Sequence, residues 1–262
     1  MVQVDVQSCA RDGLCIEVCP MRLLEAGPDR TPVARPDAAA ACAACGHCVA
    51  VCRRQALRHE RLPFERFTRA QAREAIPAEA VDGLLRSRRS CREYRDEPLT
   101  RPEIEALLDT VRHAPTANNS QLLRWIATSG PATTRALAAR VAESLRGDER
   151  FAGFTRAWDE GREVVFRGAP HVLIALAPAD YPLGMIDCAT AIAYLELSAH
   201  AHGYGTCWAG AFTVAAARDP ELARSLALPA GYAVRGGAML GRPRHGYVLV
   251  PPRKETELTW LD

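Results

Sequence analysis

Seven of the ten cysteines lie between residues 9 and 52, and they fall in two runs. The second run, Cys42-Ala-Ala-Cys45-Gly-His-Cys48-Val-Ala-Val-Cys52, has the spacing C-x2-C-x2-C-x3-C. Moved back by 33 residues, it superposes on Cys9, Asp12, Cys15 and Cys19, with Gly46 on Gly13 and Val51 on Val18. Thiolates are soft ligands, and runs of this kind suit iron–sulfur or zinc centres; ten cysteines could also pair as disulfides. Zinc sites generally use separated C-x2-C pairs, whereas here a four-position run ends in Cys19-Pro20. The start, Met1-Val-Gln-Val-Asp5, has neither a basic head nor an apolar stretch. The expected location is therefore cytoplasmic, where thiols stay reduced.

The duplicated run resembles the bacterial two-cluster ferredoxins. In that family three cysteines of one run bind one iron–sulfur cube, and the fourth, on a short helix, reaches across to the other. The resemblance implies one four-iron (4Fe–4S) cluster on Cys42, Cys45, Cys48 and Cys19. It implies a second on Cys9, Cys15 and Cys52, with Asp12 where the repeat calls for a cysteine. A carboxylate is a harder ligand than a thiolate and holds iron less well. That second centre is then either a four-iron cluster with Asp12 on one iron or a 3Fe–4S cluster lacking that iron, so the two centres are expected to differ. Arg53 replaces the proline expected after Cys52, which loosens a turn but removes no ligand.

A second set of residues lies further along. Arg88-Arg89-Ser90-Cys91-Arg92 offers guanidinium forks for an anion. Pro115-Thr116-Ala117-Asn118-Asn119-Ser120-Gln121 is a polar turn rich in amides. Gly203-Tyr-Gly205-Thr-Cys207-Trp-Ala209-Gly210 permits close backbone approach to a planar ligand. Each has an ordinary alternative: a solvated helix end, a helix stop, a turn. Lys254 is the only lysine, so arginine abundance by itself reflects genomic composition.

The elements that must carry these residues read as follows. Residues 78–87 and Pro102 to Val111 are helical, the latter with Ile104, Leu107, Leu108 and Val111 on one face. Trp125 to Thr128, His171 to Ala177 and Ala238 to Gly241 read as strands, and Ala189 to Ala201 as a long buried helix. No G-x-G-x-x-G follows a strand, so no Rossmann nucleotide site is expected. At 262 residues the chain accommodates one ordinary domain plus a small one. A net charge of +2 makes no case for nucleic acid, and the absence of a long apolar run argues against a membrane span.

Taken together, the three segments and the tail Pro251-Pro252-Arg253-Lys254 resemble the nitroreductase family of FMN enzymes over about residues 85–262. The resemblance implies that Arg88, Arg89, Ser90 and Arg92 grip the FMN phosphate and ribityl chain. It implies an amide contact to the isoalloxazine from Asn119, with Thr116 and Gln121 close by. It places backbone N–H groups of Ala209 and Gly210 near flavin N5, and Arg253 over the phosphate. Pro251 stands where some relatives carry a second basic residue, which shifts weight onto Arg88, Arg89 and Arg92.

The expected fold class is α+β. An N-terminal ferredoxin-like iron–sulfur domain (1–60) is followed by a connecting segment (61–84) and a nitroreductase-like FMN domain (85–262), the chain being a homodimer with flavin at the subunit interface. The expected function is an FMN-dependent oxidoreductase that passes electrons between its clusters, FMN and a small electron-poor acceptor, a nitroaromatic or quinone. The donor is NAD(P)H or a ferredoxin-type protein, and no acid–base side chain is assigned. A relay between protein partners without a small-molecule substrate is the alternative. A third reading, dehalogenation or flavin fragmentation, needs a covering lid, for which Arg140 to Gly168 with Phe151, Phe154, Trp158 and Phe166 is the candidate; these aromatics could equally pack on a partner subunit. Cys188 and Cys207 read as core, Cys91 as a packed or an activated thiol, and His113 and His171 as structural. His47 is at most a neighbour of a cluster.

Overall fold

A computed structural model describes residues 1–72 and 75–261. Two positions of the connecting segment, 73 and 74, lie outside the described residues. Contacts divide the chain into two compact units: residues 1–75 with 116–120, and residues 76–115 with 121–262. The connecting segment is thereby shared out, 61–75 packing with the first unit and 76–84 with the second.

The first unit is a duplicated backbone. Its elements are β1 (Val2–Val4), α1 (Leu14–Glu17), β2 (Leu24–Ala26), β3 (Pro32–Ala34), α2 (Ala38–Ala41), α3 (His47–Ala50) and β4 (Leu57–His59). β1 pairs antiparallel with β4, Val2 facing His59, and β2 pairs with β3, Leu24 facing Ala34. The 33-residue repeat reappears in the dihedrals. Gly13 and Gly46 cap α1 and α3 at φ of 80° and 78°. Arg11 matches Ala44 (53° and 49°), and Arg22 matches Gln55 (50° and 53°). Left-handed backbone is cheap for the two glycines and costly for the other four residues, so four such positions in register mark a required loop shape. The core is small: Cys15, Leu24, Val49 and Leu57 are buried, with Val2, Ile16, Val51 and Phe67 packed around them.

The second unit comprises α4 (Ala78–Ser87), α5 (Arg101–Val111), β5 (Arg124–Ala127), α6 (Pro131–Ser144), α7 (Ala152–Asp159) and β6 (His171–Pro178). It continues with α8 (Gly184–Ala201), β7 (Gly205–Trp208), α9 (Gly210–Arg218), α10 (Pro220–Ser225) and β8 (Tyr232–Gly241). The sheet order is β5-β6-β8-β7, every neighbouring pair antiparallel. Helices cover both faces, which is why β6 reads as an unbroken apolar run. Its alternate residues go to opposite cores: Val172, Ile174 and Leu176 to the face of α6 and α9, Leu173, Ala175 and Ala177 to the face of α5 and α8. The architecture is α+β, as the sequence implies.

α5 starts where its chemistry dictates. Thr100 and Glu103 form a reciprocal capping box, with Pro102 in the first turn and Ile104, Leu107 and Val111 buried along one face. Two elements differ from the sequence reading. β8 begins at Tyr232 rather than Ala238, because Gly236-Gly237 interrupts the apolar pattern without interrupting the strand. Helices press on it there from both sides: a Cβ on Gly236 would lie 2.8 Å from Ile192 Cδ1, and one on Gly237 3.2 Å from Phe212 Cδ1. α8 begins at Gly184 rather than Ala189, its first turn exposing Met185 and Ile186. Much of the stretch that could form a lid packs on the core of the second unit. Arg140 to Ser144 belongs to α6, and Phe166 is fully buried against Phe212, with Phe151 and Trp158 packed on the same core. No described helix is long and apolar enough to cross a membrane.

Candidate functional site

Within the first unit, the eight positions of the cysteine runs sort into two cavities. Cys9, Asp12, Cys15 and Cys52 line one, beside Gly13 and Leu57. Cys19, Cys42, Cys45 and Cys48 line the other, beside Gly46 and His59. Each cavity thus draws three residues from one run and one from the other. Among the described residues no three His, Cys, Asp or Glu side chains converge as they would on a single ion. A tetrahedral zinc requires all its ligands within about 2.3 Å of one point. Seven thiols and one carboxylate, in two groups of four, are a donor set that would suit two iron–sulfur clusters.

The sulfurs have donors around them. Backbone N–H groups of Arg11 and Ala44 donate to Cys9 and Cys42 Sγ, both at 3.4 Å. Those of Leu23 and Ala56 donate to Cys19 and Cys52 Sγ at 3.3 and 3.2 Å, again 33 residues apart. Such bonds favour thiolate and are a recognised control on cluster potential. Burial pushes the Cys15 thiol up and the Cys48 thiol to about 11, a penalty that metal ligation relieves. Asp12 Oδ1 accepts the Leu14 N–H at 3.2 Å, so this carboxylate also serves the start of α1. An imidazole also reaches one of these sulfurs: His59 Nε2 lies 3.4 Å from Cys42 Sγ, and burial lowers the His59 pKa.

In the second unit, α4 ends at Ser87 and delivers Arg88 and Arg89 to a cavity of about 200 Å³, whose wall also carries His200, Tyr204, Thr206 and His245. Ser90 bridges to Thr206 of β7, and the Cys91 N–H donates to Thr206 O at 2.8 Å, so the arginine segment is fastened to the sheet edge. Gly205 makes this approach possible: a Cβ there would lie 2.7 Å from Cys91 Cβ and Sγ. Arg88 pairs with Glu196 of α8, Nη1 to Oε1 at 3.5 Å. Burial raises the Glu196 pKa, and the Arg88 charge opposes that rise. Ser87 Oγ and His200 Nε2 meet at 2.9 Å.

The remaining residues of the set divide. Arg92 is exposed, its Nη1 donating to Ser90 O at 3.5 Å. The Ala209 N–H is spent on Gly237 O at 2.8 Å, whereas Gly210 opens α9, where the first N–H groups have no acceptor within the helix. Gln121 is exposed, and Arg253 lies exposed in the irregular tail after β8. Thr116 and Asn119 fall in the first unit, where Asn119 Nδ2 donates to Ala43 O at 3.3 Å and Ala44 O at 3.1 Å. Cys91 is a packed thiol, raised by burial and donating to Glu93 O at 3.3 Å; Cys188 and Cys207 are core. His171 is structural, accepting the Leu99 N–H at Nε2 (3.1 Å), with Nδ1 2.9 Å from Thr128 O.

Sequence reasoning passed over Glu196, His200 and His59. The first two had a signal: they are ionisable positions four apart on a largely apolar helix, hence on one face. His59 had one too, since the 33-residue repeat sets it against Ala26.

Comparison with known proteins gives the second unit its relatives. A nitroreductase with bound FMN from Bacteroides fragilis superposes with a TM-score of 0.59 at 22% identity, over 70% of this chain and 98% of that one. A second, from Desulfitobacterium hafniense and also with bound FMN, gives 0.58 at 23%, over 69% and 97%. At these identities the likeness establishes the fold. A Streptomyces coelicolor protein named as an NADH dehydrogenase/NAD(P)H nitroreductase is 36% identical over 67 residues, which is 26% of this chain; the match spans 34% of that relative's length. Residues 85–242 match the nitroreductase family, and the chain belongs to it.

Proposed function

We propose that the chain is an iron–sulfur flavoprotein. In this reading it is an FMN-dependent oxidoreductase that exchanges electrons among two iron–sulfur clusters, FMN and a small electron-poor acceptor of nitroaromatic or quinone type. The observation that carries the reading is the sorting of the cysteine-run positions into two cavities of four. They sit in the same chain as a nitroreductase-family domain. When bound, FMN supplies a carrier of one or two electrons and the clusters supply carriers of one.

The chain's own residues do the rest. Arg88 and Arg89 suit the phosphate end: their cavity, about 200 Å³, is smaller than the roughly 300 Å³ at which whole-ligand pockets begin, so it fits a phosphate and part of the chain attached to it. Ser90, Arg92 and Arg253 are proposed to complete the grip. Of the two N–H groups expected at N5, Gly210 is the available one, at the positive end of α9. Thr116, Asn119 and Gln121 remain candidates for the isoalloxazine edge; Asn119 keeps its Oδ1 for that role while Nδ2 serves Ala43 and Ala44. The clusters take Cys19, Cys42, Cys45 and Cys48, and Cys9, Asp12, Cys15 and Cys52. A homodimer is supported by the apolar side chains that the tail exposes, Tyr247 to Val250 and Leu258, Trp260 and Leu261. The Streptomyces relative's name favours a nicotinamide donor over a ferredoxin.

The test is anaerobic. Purified protein is assayed for iron, sulfide and FMN, then mixed with NADH or NADPH while the flavin absorbance is followed. Rapid bleaching and turnover of a quinone support the reductase. Bleaching only by dithionite or a reduced ferredoxin makes the clusters the entry port, and absence of FMN overturns the reading.

A further inference from the structure

The two halves of the first unit repeat one backbone, so a side chain found in only one of them shows where the two centres differ. Cys9 Sγ and Cys42 Sγ receive the same backbone donor, the N–H of Arg11 and of Ala44, both at 3.4 Å. Cys42 has a further neighbour. His59, at the end of β4 and 5% exposed, brings Nε2 to 3.4 Å from that sulfur. The other ring nitrogen settles which way this bond runs. The Arg61 backbone N–H donates to Nδ1 at 3.2 Å, so Nδ1 is an acceptor and the ring proton sits on Nε2, aimed at the sulfur. Thirty-three residues earlier, at the end of β2, stands Ala26, whose methyl group donates nothing.

The carbonyls of the two loops differ in the same sense. Arg61 donates to Cys42 O, and Asn119 Nδ2 donates to both Ala43 O and Ala44 O. Three successive carbonyls of the Cys42–Cys45 loop are thereby held by side chains. Among the described residues no side chain holds the matching carbonyls of Ala10 and Arg11.

We infer that His59 is a positioning and redox-tuning residue, which raises the reduction potential of the cluster on Cys19, Cys42, Cys45 and Cys48 and leaves its partner centre untouched. The inference rests on the iron–sulfur reading above. An N–H donated to a ligating sulfur withdraws charge from it, and the reduced cluster, one charge more negative, gains more from that than the oxidised one. The ring itself is buried, so little water competes for its N–H. The Arg61 and Asn119 contacts fix the loop and so keep Cys42 Sγ within reach of the ring.

The experiment is an EPR-monitored redox titration of the anaerobic holoprotein, comparing wild type, His59→Leu and His59→Gln. In His59→Leu, the ratio of reduced to oxidised Cys42-set cluster at a fixed potential is expected to fall by about three- to tenfold. The other centre should titrate as before. His59→Gln keeps an N–H donor and should recover part of the shift. If His59→Leu loses iron, His59→Gln against His59→Asn carries the test, since the shorter amide cannot reach; Gln must then titrate nearer to wild type. Full iron and sulfide with unshifted titrations overturns the inference. A wild type without iron and sulfide overturns the earlier reading instead.

Discussion

Glu103 and Arg242 form an ion pair of 2.7 Å that joins the first turn of α5 to the end of β8. The same carboxylate accepts from Tyr204 Oη at 2.9 Å and from the Thr100 N–H at 2.7 Å. Thr100, Arg242 and Tyr204 together hold its pKa down to about 2. A depressed carboxylate contributes stability that is present above its unfolded pKa, near 4.5, and is lost as pH falls through about 2. The urea midpoint of the wild type should therefore drop over that window. Glu103→Gln should start about 1–2 kcal/mol less stable at pH 7 and show a flatter acid limb. Parallel acid limbs for the two proteins would contradict this.

Arg88 and Glu196 set up a second expectation. Removing the guanidinium should cost the phosphate grip and also strand a half-buried carboxylate, so Arg88→Ala should purify with markedly less FMN and lower stability. Glu196→Gln keeps shape and hydrogen bonding and removes a carboxylate whose charge burial disfavours, so stability should change little or rise slightly while most FMN is retained. Fluorescence titration of the apoprotein with FMN measures both. Unchanged affinity in Arg88→Ala, and in Arg92→Ala tested beside it, would remove the arginine segment from the phosphate site.

At Gly205, β7 meets Cys91 at a distance that excludes a methyl group. Gly205→Ala should lower stability by about 1–3 kcal/mol through overpacking. Because this contact fastens Arg88 to Ser90 against Thr206, FMN content should fall with it. A variant that melts early yet binds FMN as tightly as wild type would show that the fastening does not matter for the cofactor.

Asp12 predicts unequal clusters. Oxidised wild-type protein should give an EPR signal from a three-iron centre, or lack one while its reduced spectrum reveals two distinct four-iron centres. Asp12→Cys should supply the missing thiolate and make the two alike. Two identical four-iron centres already present in wild type would refute the assignment.

Iron removal should act locally. The first unit buries few apolar side chains, and cores of this size generally need a metal centre to stay folded. Stripping iron under reducing conditions should expose residues 1–72 to protease while the second unit keeps its melting transition. Equal resistance before and after stripping would mean that the small core suffices.

The sequence exposed whatever depends on short range. Spacing set out Cys9 to Cys52 as two runs, the resemblance to two-cluster ferredoxins implied the exchange of Cys19 and Cys52 between them, and the α4 and β6 patterns gave their elements to within a residue. It failed where a distant partner decides. Gly236 and Gly237 look like a break until Ile192 and Phe212 are seen pressing on them, and Phe166 looks like lid material until Phe212 receives it. The motif that makes Asn119 a candidate flavin amide gives no sign that its Nδ2 also serves carbonyls 75 and 76 residues away. Glu196 and His59 acquire meaning only from Arg88 and Cys42, which folding brings to them.

Residues 116–120 belong to the first unit, while Pro115 and Gln121, their neighbours in the chain, belong to the second. No single cut can therefore dissect the protein. A chain shortened to start at Ile76 would keep Asn119, whose backbone like that of Asn118 is left-handed, but would lose both carbonyls it serves. Trimming the gene at residue 76 therefore separates one loop from the contacts that it makes in the first unit.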